Sequence, residues 1–151
     1  MIIEKANSDD HKILTDITKK SKAFWGYSEE QIAQWDDVLT ITKGYIQTNL
    51  AYKLIKESQV IGYYTYFNTE TYTVKLDNLF VLPEYIGKGY GNYLMVDFLN
   101  RIKENRNIKK VLLDADPNAE KFYQKFGFTT IGQLETSIKN RFLPIMELNL
   151  I

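Results

Sequence analysis

In the segment LFVLPEYIGKGYGNYLM, glycine recurs at alternate positions, Gly87, Gly89 and Gly91, where an apolar strand-like run gives way to a helical pattern. Glycine lets the backbone turn its N–H groups inward and approach an anion closely. The first turn of a helix adds unpaired N–H groups and the positive end of the helix dipole. This spacing supports phosphate binding, because a mere strand-to-helix connection has no need of several residues that each give up conformational entropy. Known phosphate loops narrow the ligand. A Walker A loop requires Gly, four residues, Gly, Lys and then Ser or Thr, whereas Lys88 is followed by Gly89. The dinucleotide fingerprint requires glycine or alanine where Asn92 stands, together with a nearly all-parallel sheet. Nucleoside triphosphate hydrolysis and NAD or FAD binding are thereby set aside.

A second segment with chemical potential is DPNAEKFYQKFGF, residues 116–128. With the glycine segment, it makes nearly the whole chain resemble the Gcn5-related N-acetyltransferase (GNAT) superfamily. The core motif of that family, Arg or Gln, two residues, Gly, one residue, Gly or Ala, falls on Ile86, Gly87, Lys88, Gly89, Tyr90 and Gly91 after the strand-end LFVLPEY. The resemblance implies one domain over residues 1–151 with an α/β (α+β) fold. Its mixed, mostly antiparallel central sheet of about seven strands carries helices on both faces and splays between strands 4 and 5 to admit acyl coenzyme A. It further implies that main-chain groups of Leu79, Phe80 and Val81 pair with the pantetheine arm. Residues Gly87, Lys88, Gly89, Tyr90, Gly91 and Asn92 would wrap the pyrophosphate, and Asn118 would hydrogen-bond the coenzyme from the other side. Ile86 departs from the pattern, since its side chain cannot hydrogen-bond. Because main-chain N–H groups chiefly hold the pyrophosphate in this family, coenzyme affinity is expected to survive.

Within that resemblance, Tyr123 is the expected general acid. Amine attack on a thioester expels a thiolate, and a phenol with an ordinary pKa near 10 is protonated at pH 7 and able to donate. Asp116 as N-cap, Pro117 at the first helical position and Gly127 as C-terminal cap frame the helix, placing Tyr123 two turns in, with Phe122 and Phe126 beside it as core. For the base that deprotonates the amine, Asp77, Glu29, Glu30 and a water chain stay open, Asp77 first. The absence of cysteine removes a thiol acyl-enzyme and leaves direct attack in a ternary complex. Trp25 and Tyr27 lie in the link that covers the acceptor pocket in the family, and either wall that pocket or anchor the loop. His11, the sole histidine, is read as an exposed helix residue.

Positioning these residues requires a definite order of elements. Ile2 and Ile3 open a strand, and Ser8, Asp9 and Asp10 supply cap chemistry for a helix burying Ile13, Leu14 and Ile17 that ends near Lys20. Ser28 and Gln31 form a capping box for a second helix through Ile32, Trp35 and Leu39, and ITKGYIQTN adds one more helical turn. From Ala51 the period changes to two in YKLIKE, QVIGYYTYF and YTVKLDNLFVLP, an antiparallel meander. A long amphipathic helix then buries Leu94, Met95, Phe98, Leu99 and Ile102. A short strand KKVLLDA, the helix PNAEKFYQKF and the strands GFTTIGQLE and FLPIMELNL close the chain.

Composition bounds the rest. At 151 residues, one core can form without disulfides or a structural metal. With no cysteine and one histidine, zinc ribbons, thiol redox centres, cysteine nucleophiles and histidine-based triads or metal clusters are excluded, and no metal is expected. Lys plus Arg and Asp plus Glu balance at 19 each, which argues against a nucleic-acid partner. Glu4 and Lys5 stand where a signal peptide would be apolar, and no apolar run nears the roughly 18 residues of a membrane span, so no membrane partner and a cytoplasmic location are expected. The function expected is an N-acetyltransferase that moves an acetyl or short acyl group from acetyl-CoA to a primary amine on a small molecule or peptide. The rival is a non-catalytic acyl-CoA-binding sensor or interaction module. Relatives often associate through C-terminal strands, and FLPIMELNLI carries more apolar surface than a free edge should expose, so a homodimer is expected.

Overall fold

A computed structural model describes residues 1–136 and 141–150 of the chain. Strand β1 (Ile2–Lys5) leads into a capping box centred on Asn7, one residue before the expected Ser8 to Asp10. The Asn7 side chain accepts the Asp9 N–H at 3.0 Å and Asp10 Oδ2 accepts the Asn7 N–H at 2.9 Å. Helix α1 (His11–Phe24) follows and runs past Lys20. Its stop signal is Gly26, whose φ of +91° only glycine adopts readily. His11 begins this helix half-buried rather than exposed. The Ser28–Gln31 capping box forms as expected, but the helix it opens, α2 (Glu29–Gln34), breaks at Trp35 before a single turn α3 (Asp36–Leu39). Two consecutive aspartates favour a fresh helix N-terminus, and Asp36 is held 2.5 Å from Lys19 of α1. Helix α4 (Lys43–Thr48) is capped by Thr42.

The period-two segments form β2 (Leu50–Lys56), β3 (Gln59–Asn68) and β4 (Thr73–Val81). After them come α5 (Tyr90–Lys103), β5 (Lys110–Asp114), α6 (Glu120–Gln124), β6 (Thr129–Glu135) and β7 (Phe142–Asn149). The strands join in one sheet in the order β1-β2-β3-β4-β5-β7-β6. Pairs β1–β2, β2–β3, β5–β7 and β6–β7 are antiparallel, whereas β4 and β5 run parallel, with Thr73 opposite Lys110 and Lys75 opposite Leu112. The mixed, mostly antiparallel seven-stranded fold is therefore the one expected, with its parallel pair between the fourth and fifth strands. No helix among the described residues is long and apolar enough to cross a membrane.

Packing divides the chain into two compact units. In the first, Met1–Tyr66 with Asn78–Arg101, alternate residues of β3 serve opposite faces. Tyr63 hydrogen-bonds Thr18 of α1 and Thr65 bonds the Tyr45 hydroxyl of α4, while the rings of Tyr64 and Tyr66 meet Phe98 of α5 edge-on. Lys53 is buried at the start of α1, where Asp10 pairs with it at 2.8 Å. The second unit, Phe67–Asp77 with the chain from Ile102, packs Val74, Val111, Leu113, Phe128 and Met146.

One sequence expectation changes, and one position gains a constraint. β7 is not a free edge: it pairs with β5 on one side and β6 on the other, which accounts for its apolar content, with Met146 fully buried. Gly62 emerges as a constrained position on β3, since a Cβ there would lie 2.9 Å from the Phe80 carbonyl oxygen and 3.1 Å from Leu94. A Gly62→Ala variant is expected to be less stable by about 1–3 kcal/mol, the usual cost of overpacking, read as a lowered denaturation midpoint. An unchanged midpoint would show that β4 yields there.

Candidate functional site

The glycine turn is built from both ends. Pro83–Tyr85 forms a turn of 3-10 helix closed by the Tyr85 N–H on the Leu82 carbonyl at 2.9 Å, and Ile86, half-buried, returns to an extended conformation. Gly87 and Gly89 then adopt φ of +80° and +90°, where an L side chain is strained. The Tyr93 N–H closes the first helical hydrogen bond on the Gly89 carbonyl at 3.0 Å, so the N–H groups of Tyr90, Gly91 and Asn92 precede the helical ladder. At Gly87 and Gly89 a Cβ would find nothing within 4 Å, which leaves open backbone beside a helix N-terminus. These residues fit a phosphate group. Gly91 differs from the expectation: it lies in the first turn of α5 and has no positive φ, so only two of the three glycines are conformationally required. Aromatic rings brace the turn, Tyr85 edge-on to Tyr90 at 5.6 Å, with the Lys88 ammonium 5.9 Å from the Tyr85 ring centre. Leu79, Phe80 and Val81 end β4 immediately before this segment.

In the second unit, Asp116 and Pro117 do begin a helical segment, but as a 3-10 turn (Pro117–Ala119), with α6 proper only Glu120–Gln124. Pro117 supplies no N–H, and the Asp116 side chain caps Asn118, so the first turn tightens to 3-10 geometry. Asn118 is exposed on that turn. Tyr123 is 9% exposed and is the buried residue of α6, whereas Phe122 and Phe126, expected to be core, are half-buried. Its ring meets Phe122 and Phe128 edge-on. Among the described residues its hydroxyl makes no hydrogen bond, and the residue as a whole is enclosed. Burial, aided by the charge of Asp116, pushes this phenol above its ordinary pKa of 10.0 and keeps it neutral.

The two aromatic residues in the α1–α2 link have different surroundings. Trp25 is 45% exposed and packs edge-on against Phe24. Tyr27 joins a cluster: it meets Trp35 edge-on at 4.9 Å, and the Lys22 ammonium lies 5.7 Å from its ring centre and 5.6 Å from that of Phe80 on β4. Of the candidate bases, Asp77 is exposed on β4, and Glu29 and Glu30 are exposed in the first turn of α2. Among the described residues no group of three or more His, Asp or Glu side chains is placed to hold a metal ion.

Residues 25–149 match the family model described as the acetyltransferase (GNAT) domain. The chain belongs to the GNAT acetyltransferase family. Solved structures similar to it include a GCN5-related N-acetyltransferase from Rhodopseudomonas palustris, with 21% identity, TM-score 0.77, and coverage of 99% of this chain and 95% of that one. PaiA N-acetyltransferase from Thermoplasma acidophilum, solved in complex with coenzyme A, is 22% identical with TM-score 0.77, covering 99% of this chain and 100% of that one. A ribosomal-protein-alanine N-acetyltransferase from Brucella melitensis is 19% identical with TM-score 0.68, over 99% and 100% of the two chains. No curated protein matches the sequence. In this GNAT chain, sequence reasoning missed Trp35 and Lys22 as neighbours of Tyr27, and missed that Lys22 also lies over the Phe80 ring, a contact between distant segments that leaves no local periodic signal. Gly62 carried one faint signal, a lone glycine inside an apolar strand pattern.

Proposed function

We propose that this GNAT chain acts as a single domain that transfers an acetyl or other short acyl group from acyl coenzyme A to a primary amine. The observation that carries this reading is the left-handed turn at Gly87 and Gly89, which opens unhindered backbone to an anion at the start of α5. Gly87 to Asn92 hold the pyrophosphate, and Leu79, Phe80, Val81 and Asn118 contact the remainder of the coenzyme. The amine nitrogen attacks the thioester carbonyl, the carbon–sulfur bond breaks, and one proton moves in net from nitrogen to sulfur. Tyr123 serves the sulfur end, and a neutral phenol whose hydroxyl makes no hydrogen bond among the described residues supports that role. Asp77, Glu29, Glu30 or water takes the proton from nitrogen. Tyr27, with Lys22 and Trp35, and the exposed Trp25 line the acceptor side.

A panel of polyamines, amino sugars, amino acids and peptides, assayed with acetyl-CoA by thiol release, is expected to yield at least one acceptor-dependent activity. Acetyl-CoA that binds without acceptor-dependent thiol release across such a panel would leave only cofactor binding. We also propose a cytoplasmic location without nucleic-acid or membrane partners, and the balance of 19 basic and 19 acidic residues supports the part that concerns nucleic acid.

We further propose a homodimer, built on β6 in place of the closing strand. β6 ends the strand order and presents Ile131 and Leu134, 55% and 41% exposed, on an edge without lysine or proline. Light scattering is expected to report twice the 17.7 kDa chain mass, and Leu134→Lys to return it to one. A monomeric parent would end this proposal.

A further inference from the structure

At the head of α6, side chains from separate elements of one unit are tied together. Asp116 caps the turn Pro117–Ala119 by accepting the Asn118 N–H on Oδ1 at 2.9 Å. Its other oxygen faces Arg141 Nη2 at 3.5 Å, with Asp116 14% and Arg141 19% exposed. Arg141 is fixed in turn by its backbone, whose carbonyl accepts both the N–H and the hydroxyl of Thr136, at 3.3 and 2.8 Å. β7 continues beside the same turn, where the Ala115 N–H donates to the Pro144 carbonyl at 2.8 Å. Farther along, Glu120 accepts the Thr130 hydroxyl at 2.6 Å, a second tie between α6 and β6.

We propose that Arg141 is a positioning residue of the acyl-transfer site, acting through Asp116 to fix the turn that presents Asn118 and Tyr123. This rests on the acyltransferase reading for the tasks of Asn118 and Tyr123, but the arrangement itself does not. A mostly buried carboxylate is stable while a cation faces it. Without Arg141 the carboxylate loses a facing cation, and its hold on the Asn118 N–H weakens. The backbone frame of the turn then loosens, and Tyr123 follows it along the same short helix. Asp116 also acts directly on the phenol, since its charge is one of the two causes that hold Tyr123 neutral. Arg141 thus bears on the geometry of this end of the site through the carboxylate it faces.

Three variants test the proposal: Arg141→Met, Arg141→Lys, and Arg141→Met combined with Asp116→Asn. Hydrogen exchange at the Asn118 amide, measured without ligand, is expected to quicken about tenfold in Arg141→Met, as befits loss of a charge-assisted cap. Acetyl-CoA affinity by calorimetry should weaken several-fold, and kcat should fall by about tenfold while the acceptor KM stays within about twofold, the pattern of misplaced reacting groups. Lysine should restore most of each loss. The double variant, which removes the carboxylate charge that Arg141 faces yet keeps a cap acceptor, should exchange more slowly at Asn118 than Arg141→Met alone. Asn118 exchange that stays within about twofold of the parent in a folded Arg141→Met variant overturns the proposal, as does a loss that lysine fails to restore. A parent that binds no acetyl-CoA defeats the acyltransferase reading instead, and the exchange measurement still decides the role of Arg141.

Discussion

Turnover of a Tyr123→Phe variant is expected to fall by about 10²-fold, at the low end of what general acid catalysis supplies. The substitution removes one hydroxyl that makes no hydrogen bond among the described residues and leaves the ring contacts with Phe122 and Phe128 in place. Fold and coenzyme affinity should therefore hold, and the loss should appear in kcat rather than in the acetyl-CoA KM. Two effects keep the loss moderate. A thiolate with a pKa near 8.5 is already a fair leaving group, and a phenol pushed above 10.0 by burial is a weaker acid, though one that stays neutral across the working range. No descending limb from Tyr123 is expected in the kcat profile below pH 10. Stability carries the same signature. Above pH 10.0 the unfolded chain releases the Tyr123 proton before the folded one, so stability falls as pH rises, and the parent should lose more than the variant in alkaline denaturation. Turnover within about twofold of the parent, below the range of general acid catalysis, would return Tyr123 to core packing and favour a coenzyme-binding module.

Acetyl-CoA binding is expected to weaken by about 100-fold in Gly89→Val. At φ of +90° a β-branched side chain is disfavoured by about 1–3 kcal/mol, and the strain is relieved only by a turn that no longer presents its N–H groups. The added methyl groups also enter the open space that the phosphate requires. Gly89→Ala should show the same effect in weaker form. Gly91→Val should cost less than Gly89→Val, since Gly91 lies in the first helical turn without a positive φ. Calorimetric titration, with circular dichroism to confirm the fold, checks the ranking. A folded Gly89→Val variant that binds acetyl-CoA as tightly as the parent would remove the phosphate turn from the site.

Local chemistry was legible in the chain itself. The glycine turn, the Ser28–Gln31 box, the change of period at Ala51 and the stripe through Leu94, Phe98 and Ile102 all depend on neighbours a few residues away, so each leaves its mark in the sequence. With them came the fold class and the two segments that carry the family. Features set by distant partners were not legible. The break at Trp35 is fixed by Lys19 of α1, which holds Asp36, whereas the stop of α1 at Gly26 is a local signal that the expected end near Lys20 overlooks. The apolar closing strand read as an edge because sequence does not reveal which strands flank it; in the fold it has a neighbour on each side. Gly62 mattered only once the Phe80 carbonyl came within 2.9 Å of its absent side chain. Tyr123 shows both sides of the division. Its residue type and motif suggested an acid, but the tertiary structure decided that its ring is enclosed and its proton held chiefly by burial, because solvent exposure at a site is a sum over groups from separate segments of the chain.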